Sequence, residues 1–293
     1  MRKDGFYTAL GTPLDDQGKV VKQSFVKQIE DQIASGASGL LVMGTMGTLG
    51  TIRNSAYEEI IECACEAIAG RVTLLVGCSD NSLARVKDRF AILERYPVDI
   101  AVLTAPYYFK MPDQVLERFF ARAAALTGMD IYLYDHVPIT KHKITFPMMM
   151  NLSKIKNIKG IKSGDLVLIR QLHESKEIKK DFLPIFSGSD LFAVAQAYGI
   201  KNYLDGIFAS FPKTIGIIQS ALDTGNFESA KQHLNMMMDA RDDMIALGIW
   251  PAFSYAMNLL GYQGRFAPDY EPELDEAAKQ TIVAIMKRTG EIG

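Results

Sequence analysis

Cysteine is scarce in this chain. Its three cysteines, Cys63, Cys65 and Cys78, make no disulfide framework and lack metal-ligand spacing, a pattern that fits a reducing cytosol. Long apolar runs are missing as well: none approaches the ~18 residues of a membrane span, and Met1-Arg-Lys-Asp4 leads into no hydrophobic signal region. Charge of one sign is also missing. A formal net charge of −2 over 293 residues gives no bulk attraction to nucleic acid or an anionic membrane. Basic clusters such as residues 176–180 read as solvated helix ends. The expected location is the cytoplasm, and the expected partners are small molecules.

What is present is regular. Apolar runs bounded by turn residues recur near residues 6–14, 37–44, 72–78, 99–105, 130–134, 158–162, 183–187 and 203–209. Helical periodicity fills the gaps, for example at 21–35, 55–69, 82–95 and 114–126. In the last of these, Val115, Phe119, Ala123 and Leu126 form the expected apolar face. Eight strand–helix units predict parallel strands joined by crossover helices, and eight is the number that closes a TIM (β/α)8 barrel. Residues 1–225 are expected to form this α/β barrel. Residues 226–293 read as helices only, at 227–247, 249–260 and 274–288, and are expected to be a C-terminal helical appendage. The apolar residues Met236, Met237, Met238, Met244 and Leu247 fit core and subunit contacts there.

Barrel enzymes place their chemistry at the C-terminal ends of the strands. At the sixth such end stands Lys162, closing Ile158-Lys-Gly-Ile-Lys162. Alternation sends Ile158, Gly160 and Lys162 to one face of a strand. Two readings are open: a strand-end lysine whose head reaches water, or an inward lysine whose desolvated, neutral amine attacks a ketone. At the fifth end, Tyr132 and Tyr134 share a face, and a phenol there can pass protons through a hydrogen-bonded relay. At the second end, Gly44-Thr-Met-Gly-Thr-Leu-Gly50 is either a tight turn or a place where the backbone N–H groups of Thr45 and Met46 converge on an anion. Its spacing matches neither a Walker loop nor a dinucleotide fingerprint. Pro106-Tyr-Tyr-Phe109 adds two phenols at the fourth end.

These motifs, in this order, resemble the dihydrodipicolinate synthase/N-acetylneuraminate lyase family of class I, Schiff-base-forming aldolases. The likeness includes Thr8-Ala-Leu-Gly-Thr-Pro13, Gly-Thr-x-Gly at 44–47, Pro-Tyr-Tyr at 106–108, Tyr134 with Val137-Pro138, Gly160-Ile-Lys162, Gly188-Ser-Asp190 and Leu259-Leu-Gly261. It implies Lys162 as the Schiff-base lysine and Tyr134 as its proton donor and acceptor. Thr45 and Tyr108 would complete the relay, Tyr108 entering from a neighbouring subunit of a homo-oligomer, a dimer of dimers. Met46, Gly47, Thr48, Asp135, His136, Ser163, Ser189 and Ile207 are the expected substrate-binding positions. Asp135 and His136 read as an insertion beside Tyr134, where the imidazole is either solvent-exposed or placed to hydrogen-bond a polyol substrate or tune Tyr134. Ser163 and Ser189 read as part of a polar rim suited to hydroxyls. The backbone at Thr45 and Met46 would hold the carboxylate of pyruvate. No metal or dissociable cofactor is expected, since the imine itself is the electron sink.

The departures bear on the second substrate. The family turn Gly-Thr-Thr/Ser-Gly-Glu carries Met46 and Thr48 here. After the fifth-strand tyrosine the family reads Tyr-Asn-Val-Pro, then an arginine two residues on. This chain reads Tyr134-Asp-His-Val-Pro-Ile-Thr140, one residue longer and without arginine. Lys141 is near, but a point charge replaces a bidentate fork poorly. The expected activity is therefore a pyruvate-dependent aldolase or lyase acting on a 2-keto-3-deoxy sugar acid or a related hydroxy-2-oxo acid. The alternatives are 4-hydroxy-tetrahydrodipicolinate synthase, which condenses pyruvate with aspartate semialdehyde, and a non-catalytic oxo-acid binder.

Overall fold

A computed structural model describes residues 4–293. In chain order the elements are β1 (Gly5–Ala9), α1 (Lys22–Ala34), β2 (Gly39–Val42), α2 (Asn54–Ile68), β3 (Thr73–Gly77), α3 (Leu83–Leu93), β4 (Ile100–Thr104) and α4 (Asp113–Ala124). They continue with β5 (Ile131–Asp135), α5 (Val137–Thr140), α6 (Phe146–Leu152), β6 (Ile158–Ser163), α7 (Leu166–Glu174), β7 (Leu183–Phe186), α8 (Phe192–Ala197) and β8 (Asn202–Asp205). Four helices complete the chain: α9 (Pro212–Asp223), α10 (Phe227–Ala246), α11 (Ile249–Leu259) and α12 (Glu276–Arg288). The eight strands close in chain order into a TIM barrel, with the expected C-terminal helices following it.

Three expectations shift. The first strand ends at Ala9, not at residue 14, and Leu14 instead forms antiparallel bridges to Val20 and Arg265. Pro13, just before it, has no N–H to give a ladder. The eighth strand stops at Asp205, whose carboxylate accepts the Ile207 N–H at 3.0 Å and turns Ile207–Ser210 into a 3-10 helix. In α4 the buried face is Leu116, Phe119, Phe120, Ala123 and Ala124, while Val115 is exposed, so the expected stripe was rotated by one residue at its start.

The chain divides into two compact units. One comprises residues up to Val72 together with Asp205–Gly293. Here α1 buries Phe25 and Ile29, but also two glutamines. The Gln28 amide accepts from the Gly11 N–H and donates to the Gly11 carbonyl, both at 3.0 Å. Gln32 accepts from the Thr8 hydroxyl at 2.7 Å and donates to the Phe208 carbonyl at 3.0 Å. Buried amides satisfied on both sides fix β1 and the 207–210 turn against α1 without an orphan polar group. The tail docks by the same logic: the Tyr262 hydroxyl donates to Asp31 Oδ2 at 2.8 Å, and Lys27 lies 4.6 Å over the Tyr262 ring.

The other unit is Thr73–Leu204. Its pairing from β3 through β8 is parallel throughout. Gly160 is required, because a Cβ there would lie 2.7 Å from the Tyr132 ring and 2.6 Å from the Leu183 carbonyl oxygen. Cys78 is fully buried and burial pushes its thiol up to about 12, which suits a packing role over a reactive one.

Near the chain's end, Glu291 is buried and caps the start of α9. It accepts from the Thr214 N–H (2.8 Å), the Thr214 hydroxyl (2.7 Å) and the Lys213 N–H (3.1 Å). Burial raises its pKa above 4.5 despite those donors. A folded-state pKa above the unfolded one means the native state holds more protons, so this group's contribution to stability falls as pH rises from 4.5 through the raised value. Urea unfolding of the native protein and Glu291→Gln should therefore show a stability difference that moves against the native protein as pH rises. A pH-independent difference would refute that assignment. Glu291→Ala should cost about 1–3 kcal/mol by stranding the three donors.

Candidate active site

In the Thr73–Leu204 unit, β5 and β6 pair so that Tyr134 opposes Lys162 and Asp135 opposes Ser163. This register is reached through an irregularity: Ile131 opposes Ile158 but Tyr132 opposes Gly160, and Lys159 is passed over. Lys162 is buried, 7 % exposed, and its Nζ lies 3.8 Å from the centroid of the Tyr134 ring. The bland alternative of a lysine reaching solvent does not describe this side chain. Tyr134 is also buried, and the imidazole of His136 stacks on it nearly parallel, with centroids 5.0 Å apart and planes 5° apart. An amine over a phenol ring, with an imidazole on the same ring, can form an imine and move protons beside it.

Asp135 is the last residue of β5, so of Asp135 and His136 only His136 lies beyond the strand. Its Oδ2 accepts from the Ser163 hydroxyl at 2.7 Å and from Lys143, and its Oδ1 accepts the Ile144 N–H at 3.0 Å. Lys143 also lies 3.1 Å from Asp165 Oδ2. Burial works to raise the Asp165 pKa, but the Leu168 N–H and Lys143 outweigh it and hold this carboxyl below its ordinary value. Sequence reasoning missed Lys143: it lies eight residues beyond Asp135 with no motif to mark it. Lys141, which the sequence put forward, adopts a left-handed conformation at the C-terminus of α5 and is exposed. Ser189 is buried in the 3-10 turn after β7.

Tyr108 and Phe109 extend into solvent, 76 % and 73 % exposed, and meet edge-to-face at 4.8 Å. Their turn is nevertheless anchored. The Asn81 side-chain oxygen accepts the Tyr107 and Tyr108 N–H groups at 2.8 and 2.9 Å. His142 Nε2 lies 3.2 Å from the Phe109 carbonyl, a hydrogen bond in the tautomer protonated there. Asn81, at the end of the third strand's loop, was not singled out in the sequence; nothing short of the fold brings it to residue 108.

In the other unit, the turn after β2 is bracketed by two non-glycine residues in the left-handed region, Met43 (φ 56°) and Thr48 (φ 53°). Such backbone strain concentrates at ligand-binding turns. Gly47 is forced: a Cβ there would lie 3.0 Å from the Met43 backbone. The Thr12 hydroxyl holds the Gly47 carbonyl at 2.9 Å. Thr45 and Met46 are half-buried and Thr48 is buried. Met46 lies over Gly206, where an added Cβ would sit 1.9 Å from Met46 Cγ. Ile207 is buried at the start of the 3-10 turn beyond β8. Among the described residues, no group of three or more His, Cys, Asp or Glu side chains is arranged to hold a metal ion.

A parallel eight-stranded barrel with a buried lysine against a phenol at adjoining strand ends fits a class I aldolase. Comparison with known proteins agrees. Residues 2–288 match the model of the Dihydrodipicolinate synthetase family, and the chain belongs to that family. It is 26% identical over 287 residues to the 4-hydroxy-tetrahydrodipicolinate synthase of Acidiphilium cryptum, covering 98% of each chain. It is 31% identical over 229 residues to that of Hydrogenobaculum sp., covering 78% of each. Among solved structures, YagE of E. coli K12, a family member in complex with pyruvate, superposes with a TM-score of 0.88 at 19% identity over 98% of each chain. A dihydrodipicolinate synthase of Bacillus anthracis reaches 0.90 at 21% identity, over 98% of this chain and 99% of that one. The protein is thus a carbon–carbon lyase of the class I aldolase type.

Removing the Asn81 acceptor should loosen the Tyr107–Tyr108 turn. In Asn81→Ala, hydrogen exchange at these two amides should quicken on the order of tenfold, the ~1–2 kcal/mol of an unmade pair of bonds. Exchange at the native rate would show that the turn is held by other means.

Proposed function

We propose that the protein forms a Schiff base between Lys162 and pyruvate, and that it cleaves, or in reverse builds, a 2-keto-3-deoxy sugar acid or related hydroxy-2-oxo acid. The observation that carries this reading is the burial of Lys162 with its Nζ against the Tyr134 ring. The Lys162 amine adds to the C2 carbonyl, and loss of water gives the iminium. Tyr134 takes the proton from the C4 hydroxyl, the C3–C4 bond breaks, and its electrons pass into the iminium to give an enamine. Protonation at C3 and hydrolysis then release pyruvate and restore the amine. The iminium supplies the electron sink, so the reaction as proposed uses no metal or dissociable cofactor. From the resemblance, Thr45 and Tyr108 complete the proton relay and the backbone at Thr45 and Met46 holds the carboxylate.

The charge around Lys143 supports an uncharged second partner. Its ammonium is already shared between the Asp135 and Asp165 carboxylates, so it is a poor substitute for an arginine that would grip another carboxylate. His136, half-buried and stacked on Tyr134, sets an imidazole beside the proposed reaction centre. The second reading, 4-hydroxy-tetrahydrodipicolinate synthase, is favoured by the names of the relatives. We also propose that Tyr108 acts across a homo-oligomeric contact, which the exposed Tyr108, Phe109, Val137 and Ile139 would help to form, and that the protein works in the cytoplasm.

Borohydride reduction in the presence of pyruvate should leave a stable adduct on Lys162, located by mass spectrometry, and Lys162→Ala should abolish it. An unmodified Lys162 would sink the reading. Coupled assays then separate the two substrates: sugar-acid cleavage is expected, and turnover should be lower with aspartate semialdehyde than with the better sugar acid. The reverse order would select the synthase.

A further inference from the structure

The residues that follow the two reactive ones are bound to each other. Asp135 follows Tyr134, Ser163 follows Lys162, and the Ser163 hydroxyl donates to Asp135 Oδ2 at 2.7 Å. Lys143 donates to that same oxygen, and its ammonium lies 3.1 Å from Asp165 Oδ2. The Asp165 N–H closes the loop on Ser163 Oγ at 3.1 Å. The Asp135 side chain is 3 % exposed, and Ser163 is fully buried.

We propose that Lys143, acting through Asp135 and Ser163, is a positioning residue for the Lys162–Tyr134 pair. The inference rests on the Schiff-base reading above. Alternation turns Asp135 and Ser163 to the face opposite Tyr134 and Lys162, so this set lies behind the reacting groups. Asp135 already receives three donors, from Lys143, Ser163 and the Ile144 N–H, which leaves it engaged in structure and not in gripping substrate. A buried carboxylate needs such partners. Without the lysine cation, the Asp135 charge is left without its ionic partner at the end of β5, with the Asp165 carboxylate beside it. The strand ends would then separate where one residue's displacement carries Tyr134 or Lys162 with it. The same cation ties down the 136–145 segment, which carries His136 on the Tyr134 ring.

The test uses the exchange of pyruvate C3 hydrogens in D2O, followed by NMR, which needs imine and enamine but no second substrate. In Lys143→Met the exchange rate at saturating pyruvate should fall on the order of 10- to 100-fold, the effect of a displaced catalytic group. The KM for pyruvate should stay unchanged, because the carboxylate is held elsewhere, and Lys143→Arg, which keeps a cation for both carboxylates, should recover most of the rate. Undiminished exchange in Lys143→Met would overturn the proposal, as would a Lys143→Arg as slow as Lys143→Met. If Lys143→Met does not fold, Asp135→Asn, which removes the charge that Lys143 pairs with and keeps an oxygen for the Ile144 N–H, provides the same readout: a slower rate at unchanged KM supports the role and a native rate overturns it. Native protein that neither exchanges C3 hydrogens nor forms the borohydride adduct would overturn the Schiff-base reading and this role together. Native protein that does both, beside a Lys143→Met that does both equally well, overturns only this role.

Discussion

Where β5 meets β6, one passed-over residue decides which side chains face each other. Pairing starts at Ile131 with Ile158; continued without a break it would bring Tyr134 opposite Ile161. A one-residue slip exchanges the faces of a strand, so phenol and amine would then point apart. The irregularity at Lys159 shifts the count and sets Tyr134 opposite Lys162. Lys159 itself turns outward and pairs with Asp181. Gly160 belongs to the same arrangement: with the Tyr132 ring and the Leu183 carbonyl so close, no side chain fits beneath Lys162. The facing of Lys162 and Tyr134 is thus a product of ladder geometry.

Geometry of this kind needs a restraint at the open end of the strands, where ladder bonds run out. Asp135 and Ser163 supply it as the next register pair, and their link is a side-chain hydrogen bond at 2.7 Å. A serine–carboxylate bond alone would leave a buried negative charge uncompensated. Lys143 supplies the opposite charge, and by reaching Asp165 as well it links the end of β5 to the residues that follow β6. Local charge balance and strand register therefore support each other, and the segment bearing His136 is fixed by the same contacts.

Much of this was legible in the chain itself. Alternating apolar runs and helical periodicity carried the eightfold barrel, and strand-end placement brought out Lys162 and Tyr134. Strand ends were less legible, since Pro13 and Asp205 act through a missing donor and a side-chain acceptor that no periodicity encodes. That Asp135 is paired with Ser163 inside β5 was not legible either, because a motif comparison counts residues and not ladder hydrogen bonds. Lys143, Asn81 and Gln32 escaped notice for one reason. Each acts at a distance of 8 to 176 residues, on an atom that only the closed fold brings within 3 Å or so.

The division between what the site retains and what it has changed follows the division of labour in imine chemistry. Activating the oxo acid needs an amine, a proton carrier and a carboxylate cradle, none of which depends on the second substrate. Lys162 and Tyr134 are set opposite each other by the ladder; in the other unit, the glycine turn after β2 carries Met43 and Thr48 in the left-handed region and is held by the Thr12 hydroxyl. Choosing the aldehyde needs groups that can vary without disturbing that frame. The segment after Tyr134, which the proposed reading puts in that role, is tethered at Asp135 and His142, and between these tethers it exposes Val137, Pro138 and Ile139. An arginine there would bring an unshared cation and favour a second carboxylate. In this chain the Lys143 cation is shared between Asp135 and Asp165. This charge balance accords with the proposed uncharged second partner, because a lysine shared between two carboxylates has little field left to attract a third.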